Sequence, residues 1–171
     1  MKKVFYFLLA ICFAFTFSCK KESNPPPTPP VISFESFTAS DPYTAKLTFN
    51  FTDIDGDIGN QSAQQDSTNY DFYMRFYYKN YLGNYVTYYY HNYMQNDPLR
   101  DSTIYVYHIP YVTNNIKTKT LDGQIIIDLN GYKPFANVDS LANLRYTFWI
   151  YDRARHKSNV VTTPGFQTPT H

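Results

Sequence analysis

The chain has 171 residues, a formal charge of +1 and an aromatic content of 19%, carried by 18 Tyr, 14 Phe and one Trp. A charge this close to neutral excludes the broad basic field that nucleic-acid binding needs, and two cysteines exclude a disulfide-dense scaffold. The length suits one ordinary domain with its own core.

Residues 1–18 open with Met1-Lys2-Lys3, continue through a short apolar run and end on Ser18, before Cys19. A charged start, an apolar core and a small residue at the cut describe a secretory signal. The run is too short to span a bilayer comfortably. The cysteine at the cut resembles that of a bacterial lipoprotein signal, in which Cys19 is lipidated and becomes the first mature residue. Cys12 is the rival site, but it follows the large Ile11 inside the apolar core. The expected location is the cell envelope, as an outer-membrane lipoprotein on its periplasmic or surface face, with the membrane as a partner through Cys19. Removing residues 1–18 takes Cys12 with it, so no internal disulfide, cysteine zinc site or thiol nucleophile is expected. It also takes Lys2 and Lys3, which moves the formal charge from +1 to −1.

Residues 19–30 form the next unit. Five of the residues between Lys20 and Pro30 are proline, and such a stretch is extended, hydrated and unable to pack a core. It is expected to be a tether, as a spacing stalk or as a plain leader.

Residues 31–171 are expected to be one domain built of strands. Leu47, Phe49 and Phe51 alternate with polar residues, as do Phe72, Met74 and Phe76, then Ile125, Ile127 and Leu129, then Leu144, Tyr146, Phe148 and Ile150. Period two with one apolar face marks half-buried antiparallel strands. The expected strands cover 31–39, 45–53, 70–80, 84–91, 104–112, 123–130, 144–152 and 158–163. Asp55-Gly56, Gly83-Asn84, Asp97-Pro98, Asp122-Gly123 and Asn130-Gly131 supply the turns between them. Pro110 places the strand that contains it at an edge or a bulge. The only helix candidate is one short turn around residues 139–143. The fold class is therefore all-β, an immunoglobulin-like antiparallel sandwich of seven to nine strands, with a barrel as the alternative. Phe49, Phe51, Phe72, Phe76, Ile125, Ile127, Tyr146, Phe148 and Ile150 are the expected core.

Four segments together resemble a family of uncharacterised Bacteroidota surface lipoproteins with an immunoglobulin-like domain. They are Phe51-Thr52-Asp53-Ile54-Asp55-Gly56-Asp57-Ile58-Gly59, Ile109-Pro110-Tyr111-Val112-Thr113, Leu121-Asp122-Gly123-Gln124-Ile125 through Leu129, and Tyr151-Asp152-Arg153-Ala154 through Lys157-Ser158-Asn159. The resemblance spans nearly all of the mature chain and implies fold and location; the family has no established activity. Where its members commonly have Gly-Asn, this chain has Arg155-His156.

One constellation can carry chemistry. Asp53, Asp55 and Asp57 alternate beside Gly56 and Gly59, and calcium takes six to eight oxygens of this kind. The spacing is not that of an EF-hand, which needs glycine where Ile58 stands and glutamate where Gln64 stands. In an immunoglobulin sandwich the loops after the second and the penultimate strands share one end, which adds Asp152 to the metal set. A structural Ca²⁺ is the expected cofactor, at the end distal to the tether or beside it. The competing expectation is a solvated turn whose aspartates accept local amides.

Tyrosines mark a second surface. Tyr73, Tyr77 and Tyr89 fall opposite the core face of their strands and are the candidate ligand-binding residues, since flat rings edged with a hydroxyl suit sugars and protein interfaces. Strand propensity alone also favours tyrosine. His91, His108, His156 and His171 are scattered, and no nucleophile–base order or buried acid pair is legible. The chain is therefore expected not to be an enzyme. A surface binding or adhesion module for a glycan or protein is the leading expectation, with a structural accessory of an envelope complex as the alternative. Ser67, Ser102 and Ser140 each follow an aspartate, in a pattern that resembles the O-glycosylation acceptor of the same bacterial group.

Overall fold

The computed structural model describes residues 27–41, 43–60, 70–87, 104–112, 120–132 and 143–167. The signal segment with Cys19, as well as Tyr89, Ser67, Ser102, Ser140 and most of the expected helical turn, lie outside the described residues. Asn143, the last residue of that turn, opens a strand instead.

Nine strands are described: β1 Val31–Ala39, β2 Thr44–Asp53, β3 Phe72–Lys79, β4 Tyr85–Thr87, β5 Ile104–Tyr107, β6 Leu121–Asn130, β7 Asn143–Ile150, β8 Val161–Thr162 and β9 Phe166–Gln167. They form two antiparallel sheets. The smaller has the order β1-β2-β6; the larger has β4-β3-β7-β8, with β5 also on β3 and β9 also on β7. First, second and sixth strands oppose a sheet centred on the third and seventh, which is the strand partition of an immunoglobulin sandwich. The chain is all-β, as its period-two pattern requires.

The core lies between the sheets. Leu47, Phe49, Phe72, Met74, Phe76, Leu144, Tyr146, Phe148 and Ile150 are fully buried. Phe49 of β2 meets Phe148 of β7 with ring centroids 5.2 Å apart and Phe72 of β3 at 5.8 Å. Rings of this size each bury roughly 150–250 Å², so these crossings dominate the attraction between the layers. Ile125 is only partly buried and packs against the cluster from its margin.

In β1 the alternation slips between Phe34 and Ser36, where the pairing with β2 carries a bulge. The extra residue re-phases the strand, so that Phe34 pairs with Phe49 and Phe37 with Leu47 and both partly buried rings pack on the core. Phe37 then stacks on Phe166 of β9 at 4.2 Å. β9 was not expected, because Pro164 and Gly165 break the apolar pattern just before it. Strand β5 stops at Tyr107, short of the expected 112, and Pro110 makes only an isolated bridge to Asn60.

Register sets the site. In β2 the inward positions run Ala45, Leu47, Phe49, Phe51, and the next in phase is Asp53. In β7 they run Leu144, Tyr146, Phe148, Ile150, and Asp152 follows two residues on. Period two thus carries one carboxylate from each sheet to the same end of the core. Asp53 is 0% exposed and Asp152 1%.

Candidate functional site

Asp53 begins the site. Its Oδ2 accepts the backbone N–H of Asp57 at 2.5 Å, which bends the chain after β2 into a tight loop. Gly56 and Gly59 hold the loop with φ of 69° and 77°, in the left-handed region that glycine enters freely. A side chain at Gly59 would lie 2.1 Å from the Pro110 carbonyl oxygen, so only glycine lets the loop approach that segment. The intervening Ile58 is fully buried and anchors the loop in the core.

The loop after β7 clasps it from the other side. Arg153 donates its backbone N–H to the Asp57 carbonyl at 3.0 Å, and Ala154 donates to Asp57 Oδ2 at 3.3 Å. The Arg153 guanidinium reaches the carbonyls of Ile58 (3.2 Å), Gly59 (3.3 Å) and Gly56 (3.2 Å), and its cation lies 4.8 Å from the Tyr111 ring centre. The loop carbonyls of Gly56, Ile58 and Gly59 therefore already accept an arginine.

Within this frame, Asp53, Asp55 and Asp57 each offer one carboxylate oxygen, and these oxygens lie within 4.8 Å of one another. Such a triad could hold a metal ion. The Oδ1 atoms of all three are buried and accept no hydrogen bond. Desolvation, reinforced by the adjacent Asp55, pushes the Asp53 carboxyl up to about 7. Burial also raises Asp57, with Asp152 and Asp55 adding repulsion and Arg153 opposing it.

Asp152 lies at the same end but is engaged elsewhere. Its Oδ1 accepts the His156 backbone N–H at 2.7 Å, and its Oδ2 faces His156 Nδ1 at 2.9 Å. It is not part of the converging triad; its two oxygens shape the β7–β8 turn. Within that turn Arg155 adopts φ 67°. Its guanidinium compensates by donating to the Tyr70 carbonyl at 2.9 Å and standing 3.7 Å from buried Asp71.

Sequence reasoning missed one member of the site. The proline-rich segment enters beside the acidic loop, since Val31 pairs with Thr52. Thr28 donates its N–H to Asp55 Oδ2 at 3.3 Å, and the Thr28 hydroxyl oxygen is buried without a partner. Thr28 is the only non-proline among residues 25–30, a signal visible in the sequence but hidden by its proline-rich setting.

The tyrosine surface is the outer face of the larger sheet. Tyr73 and Trp149, paired across β3 and β7, stack 5.6 Å apart and 1° from parallel. Lys157 Nζ lies 4.4 Å from the Trp149 ring centre. Arg145 lies over Tyr85 at 4.3 Å and over Tyr77 at 5.7 Å. Tyr73 and Tyr77 are half-buried within this ladder. Trp149 Nε1, Arg145 Nε and Arg75 Nε are buried donors without a partner.

No protein-family model, curated protein or solved structure matches the chain.

Proposed function

We propose that the chain is a non-enzymatic cell-envelope lipoprotein, anchored by lipid on Cys19, that serves as a surface binding or adhesion module for a glycan or protein ligand. The observation that carries the binding role is the Tyr73–Trp149 stack flanked by Arg145 and Lys157. An outer aromatic ladder flanked by the Arg145 and Lys157 cations suits a ligand rich in oxygen acceptors. The anchor rests on the charged, apolar and cysteine-terminated pattern of residues 1–19, and on its likeness to surface lipoproteins of the resembled family. A structural Ca²⁺ on Asp53, Asp55 and Asp57 completes the reading. The hard carboxylate oxygens suit that ion, and their buried Oδ1 atoms favour it over an empty turn.

A glycan array probed with the mature domain and with Tyr73→Ala tests the binding role. Retained signal for the wild type and lost signal for the variant is the expected result. Binding that survives Tyr73→Ala unchanged would contradict the assigned face, and no binding to glycans or envelope proteins would favour an accessory structural role. Cys19→Ala is expected to release the protein from membranes or leave a larger precursor; unchanged fractionation and mass would contradict the anchor.

A further inference from the structure

We propose that Thr28 is a ligand of the ion held by Asp53, Asp55 and Asp57, so that calcium fastens the end of the tether to the domain. The inference rests on the calcium reading and extends it to the chain segment that leads to the membrane.

Three observations carry it. Asp53 is fully buried and its Oδ1, within 4.8 Å of ligand oxygens on Asp55 and Asp57, has no partner. A buried carboxylate oxygen left unpaired is expensive, and a cation among the three is the direct remedy. The Thr28 hydroxyl oxygen is likewise buried and unpartnered, on the residue whose N–H already reaches Asp55. Finally, residues 25–27 and 29–30 are all proline. Proline has no N–H and a fixed φ, so Thr28 supplies the sole backbone donor and the sole side-chain oxygen of that stretch. The donor reaches the acidic loop at Asp55, and the hydroxyl on the same residue is buried with no other partner.

Three carboxylates and a hydroxyl give four side-chain oxygens. Water and bidentate carboxylate contact can raise this to the six to eight that calcium takes. The hydroxyl ligates as a neutral oxygen, so no proton is released and the carboxylates alone balance the ion's charge. Without calcium, repulsion among the carboxylates loosens the seat of Thr28, whose amide donates to Asp55 at 3.3 Å. With calcium, the stiff proline segment leaves the domain in a fixed direction, beside the loop that holds the ion.

The test uses calcium itself on the mature chain. Calorimetric titration of wild type, Thr28→Val and Thr28→Ser is paired with hydrogen exchange of the Thr28 amide in the wild type, with calcium and with chelator. Roughly tenfold weaker calcium binding in Thr28→Val is expected, with recovery in Thr28→Ser. The Thr28 amide should exchange at least several-fold more slowly with calcium. Equal affinity in Thr28→Val, together with an amide rate indifferent to calcium, would overturn the role of Thr28 and leave the aspartate site standing. Absence of calcium binding by the wild type at millimolar concentration would overturn both.

Discussion

Thr28 and Asp55 stand 27 positions apart, yet the amide of one donates to the carboxylate of the other at 3.3 Å. That bond joins the end of the proline-rich segment to the acidic loop that follows β2. It places the candidate metal centre beside that segment and not at the far end of the sandwich. The hairpin between β3 and β4, where Tyr81 is 95% exposed, lies at that far end.

The core is expected to fail in proportion to its rings. Phe148 is fully buried and meets Phe49 of the opposite sheet at 5.2 Å and Phe72 of its own sheet at 6.1 Å. Phe148→Ala should cost about 3–5 kcal/mol in chemical denaturation, as truncation of a core aromatic does. A loss below about 1 kcal/mol, the range of surface substitutions, would show that the ring does not hold the two layers together.

Arg155 offers a test of backbone strain. Its φ of 67° costs an L-residue about 1–2 kcal/mol, which glycine avoids. Arg155→Ala loses the contacts to Tyr70 and Asp71 and keeps the strain. Arg155→Gly loses the same contacts and relieves it. The glycine variant should therefore be the more stable of the two by about 1 kcal/mol, against the usual ranking. Equal stability would mean that the turn relaxes.

Much of this architecture is written in period two. The alternation of β2, β3 and β7 identifies strands, core face and sheet class; in the folded chain the same phase runs on past Phe51 and buries Asp53. The acidic triad was legible from its spacing. Three things were not. Asp152 continues the inward phase of β7, but its partner is His156, set by a turn that no local pattern specifies. Arg153 occupies the loop carbonyls through a contact spanning more than 90 positions, which only the folded chain brings together. Tyr132 is fully buried, and its carbonyl accepts the hydroxyls of Tyr105 and Tyr146, although it directly follows an Asn-Gly turn that marks it as a loop residue.

The buried acid gives a pH dependence in the absence of metal. In the folded chain the Asp53 carboxyl is pushed up to about 7 by burial and by Asp55, against an ordinary value of 3.8. The folded state therefore keeps its proton after the unfolded state has released it, and stability contributed by the neutral form is lost as pH rises from about 4 to about 7. In chelator, Asp53→Asn should gain on the wild type across that window, since its side chain stays neutral. A stability difference between the two that does not change with pH would contradict the buried, crowded carboxylate.

Melting curves of residues 19–171 in calcium and in chelator, repeated with Asp55→Asn, test the metal centre most directly. Extracellular calcium modules often bind at about 10⁻⁴–10⁻³ M. At tenfold excess over such a constant, an ion that binds only the folded state adds about 1.4 kcal/mol. For a domain of this size that corresponds to a midpoint about 3–6 °C higher. The wild type should show that rise, and it should grow with the logarithm of calcium. Asp55→Asn should show little of it. Midpoints that coincide with and without calcium in the wild type would contradict the site and reduce residues 53–57 to a turn.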